Sequence, residues 1–190
     1  MRITTAVWML LLVCVTATAQ TQGRTDDMNS GIVYGADHAF TVVAPKGWVL
    51  DNQAGVKEGL HAVFYPFGSS WAKSTRVMYA NTASKKVKGQ ETLAELMRYD
   101  VENFRKKFPK LATEDIGTWE TKAKEKARVI NFTNEDPELF EAVAYIDAPT
   151  VIVVFVLSAD SQKEFEDSLP SFRTLLREYA WLASDVHIEK

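Results

Sequence analysis

Seven consecutive apolar residues, Val151-Ile152-Val153-Val154-Phe155-Val156-Leu157, constrain this chain more than any other feature. A strand with one wet face alternates apolar and polar side chains, because successive residues point to opposite faces. An unbroken apolar strand is covered on both faces. The run lies between Asp147 and Asp160, and it falls far short of the roughly twenty apolar residues that span a bilayer. It predicts the centre of a sheet with helices on each side.

The rest of the chain supplies both partners. Residues 39–43 end at the turn signal Pro45-Lys46-Gly47, and residues 48–50 follow. After a glycine-containing loop over 51–59, residues 61–65 stop at Pro66 and residues 76–80 stop near Asn81. All are rich in β-branched or aromatic residues and bounded by turn chemistry, so they read as strands. A second block follows at 116–121 and 127–132, a hairpin with the charged tip 122–126. Residues 139–146 and 150–157 form a further pair around Asp147-Ala148-Pro149.

Two stretches have helical period instead. Over 90–108, Leu93, Leu96, Met97, Val101, Phe104 and Phe108 recur every three or four residues, leaving Arg98, Glu102, Arg105 and Lys106 for water. Thr92 with Glu95 is a capping pair, and Pro109 ends the helix. Over 161–179, Ser161 caps with Glu164, and the stripe runs through Phe165, Leu169, Phe172, Leu175, Leu176 and Tyr179. Pro170 is expected to break or kink this helix, opening a second segment at its first position. Strands joined by short turns pair antiparallel. The expected class is α+β, a largely antiparallel sheet flanked by helices on both faces, an α/β/α sandwich.

The opening residues speak to location. Arg2, an apolar stretch over 6–15 and Ala17-Thr18-Ala19 have the order of a secretory signal peptide, with cleavage leaving Gln20 first. The expected organisation is a signal peptide at 1–19, a flexible segment at 20–33, one domain at 34–182 and a tail at 183–190. The protein is then secreted or periplasmic and soluble, with no transmembrane segment after cleavage. The one cysteine, Cys14, lies in the leader, and Val13 before it is a poor residue for a lipidation signal, so a lipoprotein is not expected. Without disulfides, stability rests on a hydrophobic core, which a chain of this length can build. A formal charge of −3 argues against general nucleic-acid binding.

Phe40-Thr41-Val42 leading to Pro45-Lys46-Gly47-Trp48, the later Val77-Met78-Tyr79, the central helix with Phe104 and the closing Ser171-Phe172-Arg173 stand in a recognisable order. Over about 34–181 the chain resembles the PsbP-like family, which also includes the Ran-binding Mog proteins and the bacterial periplasmic DcrB-like proteins. The resemblance implies a binding or assembly factor and no enzyme. It implies an uninterrupted last helix, from which Pro170 departs, and it carries over no ligand-contact residue.

Catalytic and metal-binding patterns are sparse. Gly68-Ser69-Ser70-Trp71 is not the strand-to-helix elbow that exposes a nucleophilic serine. The histidines are His38, His61 and His187, so a hydrolase would rest on Ser69 or Ser70 with His61. A metal would need His38 and His61 to converge with Asp37 or Asp51, a spacing without a ligand signature. Residues 55–59 lack a phosphate-cradling pattern. No metal or cofactor is expected, and Asn131-Phe132-Thr133, a glycosylation sequon, reads as part of a strand. Lys122, Lys124 and Lys126 crown the hairpin as ordinary solvated lysines.

What remains is surface. Phe67 and Trp71 place large aromatics in a loop, and Lys85, Lys86 and Lys88 form a basic cluster before the central helix. These five are the candidate partner contacts. The leading expectation is a non-catalytic binding or assembly module of the cell envelope with an unidentified protein partner. The alternatives are the small hydrolase and a lipid or small-ligand carrier with a pocket between sheet and helix.

Overall fold

The computed structural model describes residues 29–187. The expected leader, Cys14 and residues 20–28 lie outside the described residues. The element order is β1 (Ser30–Gly35), β2 (His38–Val43), β3 (Trp48–Asp51), β4 (Ala62–Pro66), β5 (Arg76–Ser84), α1 (Leu93–Lys107), β6 (Ala112–Glu120), β7 (Lys126–Glu135), β8 (Glu138–Asp147), β9 (Val151–Ala159), α2 (Gln162–Arg177) and β10 (Ala180–Ala183). A seven-stranded sheet runs β3-β4-β5-β9-β8-β7-β6, and a three-stranded sheet runs β1-β2-β10. Every ladder is antiparallel.

The apolar run takes the middle place of the larger sheet. Its alternate residues enter two separate clusters. Val151, Val153, Phe155 and Leu157 pack with Phe165, Phe172, Leu175 and Leu176 of α2. Ile152 and Val156 pack with Leu96 of α1, and Val154 borders the same cluster beside Met97, Val101 and Phe104. The cover on the α2 side is not helix alone: Phe40 and Val42 of the small sheet join that cluster too. This second sheet is a departure from the single sheet expected.

Local chemistry explains the boundaries. Thr92 Oγ1 accepts from the Glu95 backbone N–H at 3.3 Å while Glu95 Oε2 accepts from the Thr92 N–H at 3.0 Å, a complete capping box. Ser161 Oγ accepts from the Glu164 N–H at 3.3 Å at the start of α2. Gly47 turns the chain at φ 84° between β2 and β3, a conformation that costs a residue with a Cβ about 1 kcal/mol or more. Asn81 does not stop β5, because the strand pairs with β9 along its whole length, from Arg76 opposite Ala159 to Ser84 opposite Val151.

Pro170 does not break the last helix either. α2 is continuous with Pro170 inside it. The ring removes the N–H that would reach the Glu166 carbonyl, yet four apolar residues of α2 are buried in the core and hold both halves in register. Thr174 Oγ1 donates to the Pro170 carbonyl at 3.0 Å. β1 and β10 also lie where the sequence suggested linker and helix end, since each is short and gains its order from β2.

Phe155→Ala, which empties a fully buried site at the centre of the larger sheet, is expected to cost about 3–5 kcal/mol by urea denaturation. Pro170→Ala restores a helical hydrogen bond at an exposed position and is expected to stabilise by about 1–3 kcal/mol. A loss of stability in Pro170→Ala would mean that the proline relieves strain that the helix otherwise carries.

Candidate functional site

The apolar stripe of α1 is interrupted by one acid. Asp100 stands four residues after Leu96 and four before Phe104, on the face turned to the sheet. On β8 the residues on that same side are Leu139, Glu141, Val143 and Tyr145, so Glu141 is the acid in an otherwise apolar row. Both carboxylates line a groove of about 310 Å³ between α1 and the sheet. Its floor is Val143, Val154 and Val156, and its aromatic walls are Tyr79, Tyr99 and Phe104.

Internal hydrogen bonds fix the acids. Tyr145, itself fully buried, donates its phenol to Asp100 Oδ2 at 3.0 Å. Ser158 lies opposite Glu141 in the β8–β9 ladder and its hydroxyl bonds to the Glu141 carboxylate. Burial raises the Asp100 carboxyl above its ordinary 3.8, and the Tyr145 bond offsets part of that rise. Burial likewise raises Glu141 above 4.5, against the Ser158 bond and the charge of Lys107. The phenols of Tyr79 and Tyr145 are pushed up, first by burial and then by the neighbouring carboxylates.

A larger cleft of about 940 Å³ lies on the other side, between the β6–β8 end of the sheet and α2. Its acids Glu114, Glu135, Glu138 and Glu166 are exposed, as is its one cation, Lys110. Water already solvates those groups. The α1 groove is the better candidate, because only there are carboxylates held half-buried against apolar walls.

The predicted contacts divide. Phe67 is 75% exposed after β4. Trp71 folds back instead: its indole Nε1 donates to Glu58 Oε2 at 2.9 Å and its ring meets Tyr79 edge-on at 6.3 Å. The two do not form one exposed patch. Lys85 is bonded to the β8–β9 turn, 2.5 Å from both the Ala148 carbonyl and Asp147 Oδ1. Lys86 stays open to water, 3.6 Å from Asp37, and Lys88 is exposed. Lys122 and Lys124 of the hairpin tip pair with Glu178 and Glu120 at 2.6 and 2.7 Å.

The hydrolase pair is not assembled. No hydrogen bond among the described residues joins Ser69 or Ser70 to His61, and His61 lines a different groove with Val33, Val42 and Leu50. His38 and Asp37 pair with each other at 3.0 Å, whereas Asp51 accepts from the Gln53 and Ala54 N–H groups and the Tyr65 phenol. Among the described residues no group of three or more histidine, cysteine or acidic side chains is placed for a metal. Asn131 of the sequon sits inside β7, opposite Glu114 on one side and Ala142 on the other. Trp48 is buried, and Trp119 packs edge-on against Phe172 at 6.2 Å.

Sequence reasoning passed over Asp100 and Glu141. The signal available was position: each is a carboxylate where the local period calls for an apolar residue.

No family model matches this chain, and no curated protein matches it. Among solved structures, the solution structure of cyanobacterial PsbP (CyanoP) from Synechocystis sp. PCC 6803 superposes with a TM-score of 0.51 at 12% identity, covering 84% of this chain and 96% of that one. The fold is PsbP-like. The Ran-binding protein Mog1p of Saccharomyces cerevisiae gives a TM-score of 0.46 at 15% identity, covering 80% of this chain and 95% of that one. Identity at this level speaks to the PsbP-like scaffold alone, so the function has to come from the site.

The raised carboxyls make a signed prediction. Between the ordinary and the raised values the folded chain binds more protons than the unfolded chain, so stability falls as pH rises through that window. Replacing Asp100→Asn and Glu141→Gln together removes this slope. The double variant is expected to be more stable than the parent at neutral pH, with the difference fading below 3.8. Urea denaturation across pH reads this directly, and parallel curves for the two proteins would contradict it.

Proposed function

We propose that this chain is an exported, non-catalytic binding module of the cell envelope, an α/β/α sandwich that receives a group from a protein partner in the groove between α1 and the sheet. The observation that carries the reading is the groove itself: half-buried acceptors fixed by Tyr145 and Ser158 over a valine floor. Sites of this build fix the orientation of what they hold through a few placed polar groups on apolar walls. The signal-like residues 1–19 support export, with the mature chain starting at Gln20. Phe67, Lys86 and Lys88, which face water, serve as outer partner contacts. Trp71 and Lys85 brace the loops that present them.

A small-ligand carrier is the second reading, favoured by the position of the groove between helix and sheet. Its volume sits at the low end of ligand cavities, about 300–1,000 Å³, and suits a side chain or small molecule better than a lipid.

Fractionation of the native host, followed by N-terminal sequencing, is expected to find a chain beginning at Gln20 outside the cytoplasm. An intact Met1 in the cytoplasm would contradict export. Photo-crosslinkers placed at Phe67 and at Tyr99, which is 45% exposed on the groove wall, are expected to trap the same protein. An exported chain that traps none at either position would overturn the partner reading.

A further inference from the structure

We propose that the groove between α1 and the sheet binds an organic cation, a primary ammonium or guanidinium on a short apolar arm, with Asp100 and Glu141 as its acceptors. This rests on the binding reading above and names the chemistry of what is bound.

The lining decides the sign of charge. Among the described residues, Asp100 and Glu141 are its only ionisable groups besides the phenols of Tyr79 and Tyr99, and no lysine or arginine lines it. Lys107, at the end of α1, reaches Glu141 through its field, but it is exposed and stands outside the groove lining. An anion would meet two carboxylates in a half-buried space. A purely apolar ligand would strip water from both acids and return no hydrogen bond.

Unused capacity points the same way. Asp100 Oδ2 accepts from Tyr145, whereas its other oxygen has no partner among the described residues. Glu141 accepts from Ser158, and a carboxylate has room for about four donors. An ammonium carries three donors and a guanidinium five, so either can use this acceptor capacity. Tyr79 and Tyr99 in the lining add an attraction that aromatic rings offer to cations and not to neutral groups, whereas Phe104 is stacked on Phe132 at 4.5 Å. Val143, Val154 and Val156 leave an apolar floor for the arm.

Ionisation couples to occupancy. A bound cation favours the charged carboxylates and opposes the burial that raises them. Binding therefore strengthens as pH rises through the titration of Asp100 and Glu141. Tyr79 and Tyr145, pushed up by burial, remain protonated there; the other titratable groups near the two acids are Tyr99 and Lys107.

The test is calorimetric titration of the protein with hexylammonium, hexanol, hexanoate and the blocked dipeptide analogues N-acetyl-lysine-methylamide and N-acetyl-arginine-methylamide. The expected result is binding of at least one cation, with hexanol and hexanoate at least about tenfold weaker and each of Asp100→Asn and Glu141→Gln costing at least about tenfold. Preference for hexylammonium assigns a free amine, and preference for a blocked lysine or arginine assigns a partner side chain; both support the proposal. Hexanol binding as tightly as hexylammonium, no cation binding, or variants with unchanged affinity would overturn it. Urea midpoints of both variants, expected at or above the parent at neutral pH, separate lost contacts from lost folding. Crosslinking from Tyr99 judges the binding reading independently, since a trapped partner without cation affinity would defeat this proposal and leave that reading standing.

Discussion

Two-sided burial of β9 is the constraint on which the rest depends. A strand apolar at every position has no face it can give to water, so the chain must build cover on both sides at once. Val153, Phe155 and Leu157 meet α2 and the small sheet, while Ile152 and Val156 meet the cluster that holds Leu96 of α1. The pairing of β5 and β8 along either edge of β9 then fixes the register of every neighbouring strand. Order in the remote strands follows from this centre, including β1 and β10, which pair with β2 and pack Val33 and Trp181 against the same core.

The same constraint produces the groove. α1 covers its side with a single stripe of Leu96, Met97, Val101 and Phe104, and the sheet beside it stays partly open. Two acids occupy positions that a core would fill with apolar side chains. Each has its own donor, Tyr145 for Asp100 and Ser158 for Glu141, which is how a carboxylate is kept near the core without a salt bridge. Burial without a paired cation raises both carboxyls and leaves acceptor capacity facing the groove. Structural stability alone gives no reason for this arrangement; an apolar residue at either position would pack without the desolvation cost.

Much of the scaffold was legible because its signals are local. The run from Val151 to Leu157, the Thr92–Glu95 and Ser161–Glu164 caps and the turn at Gly47 each state their structure within a few residues. What sequence reasoning missed depends on distant partners. Ser30-Gly31-Ile32-Val33-Tyr34-Gly35 is short and ends in glycine, and only its ladder with β2 makes it a strand. Pro170 is a strong helix breaker taken alone, but the core contacts of Phe165 and Phe172 on either side of it outweigh that preference. Trp71 reads from sequence either as an exposed anchor or as an aromatic folded back on the core, and only Glu58 and Tyr79, distant in sequence, decide for the second. Asp100 and Glu141 lie 41 positions apart in sequence, and only the packing of α1 on β8 brings them to one groove.

The central claim is that these two acids are poised as ligand acceptors. Carbon-13 NMR of the side-chain carboxyls reads it most directly, by following Asp100 and Glu141 through a pH titration with and without hexylammonium. The account predicts titration above the ordinary 3.8 and 4.5 in the free protein and a downward shift of both when the cation is present. Ordinary midpoints that do not move with the cation would contradict it.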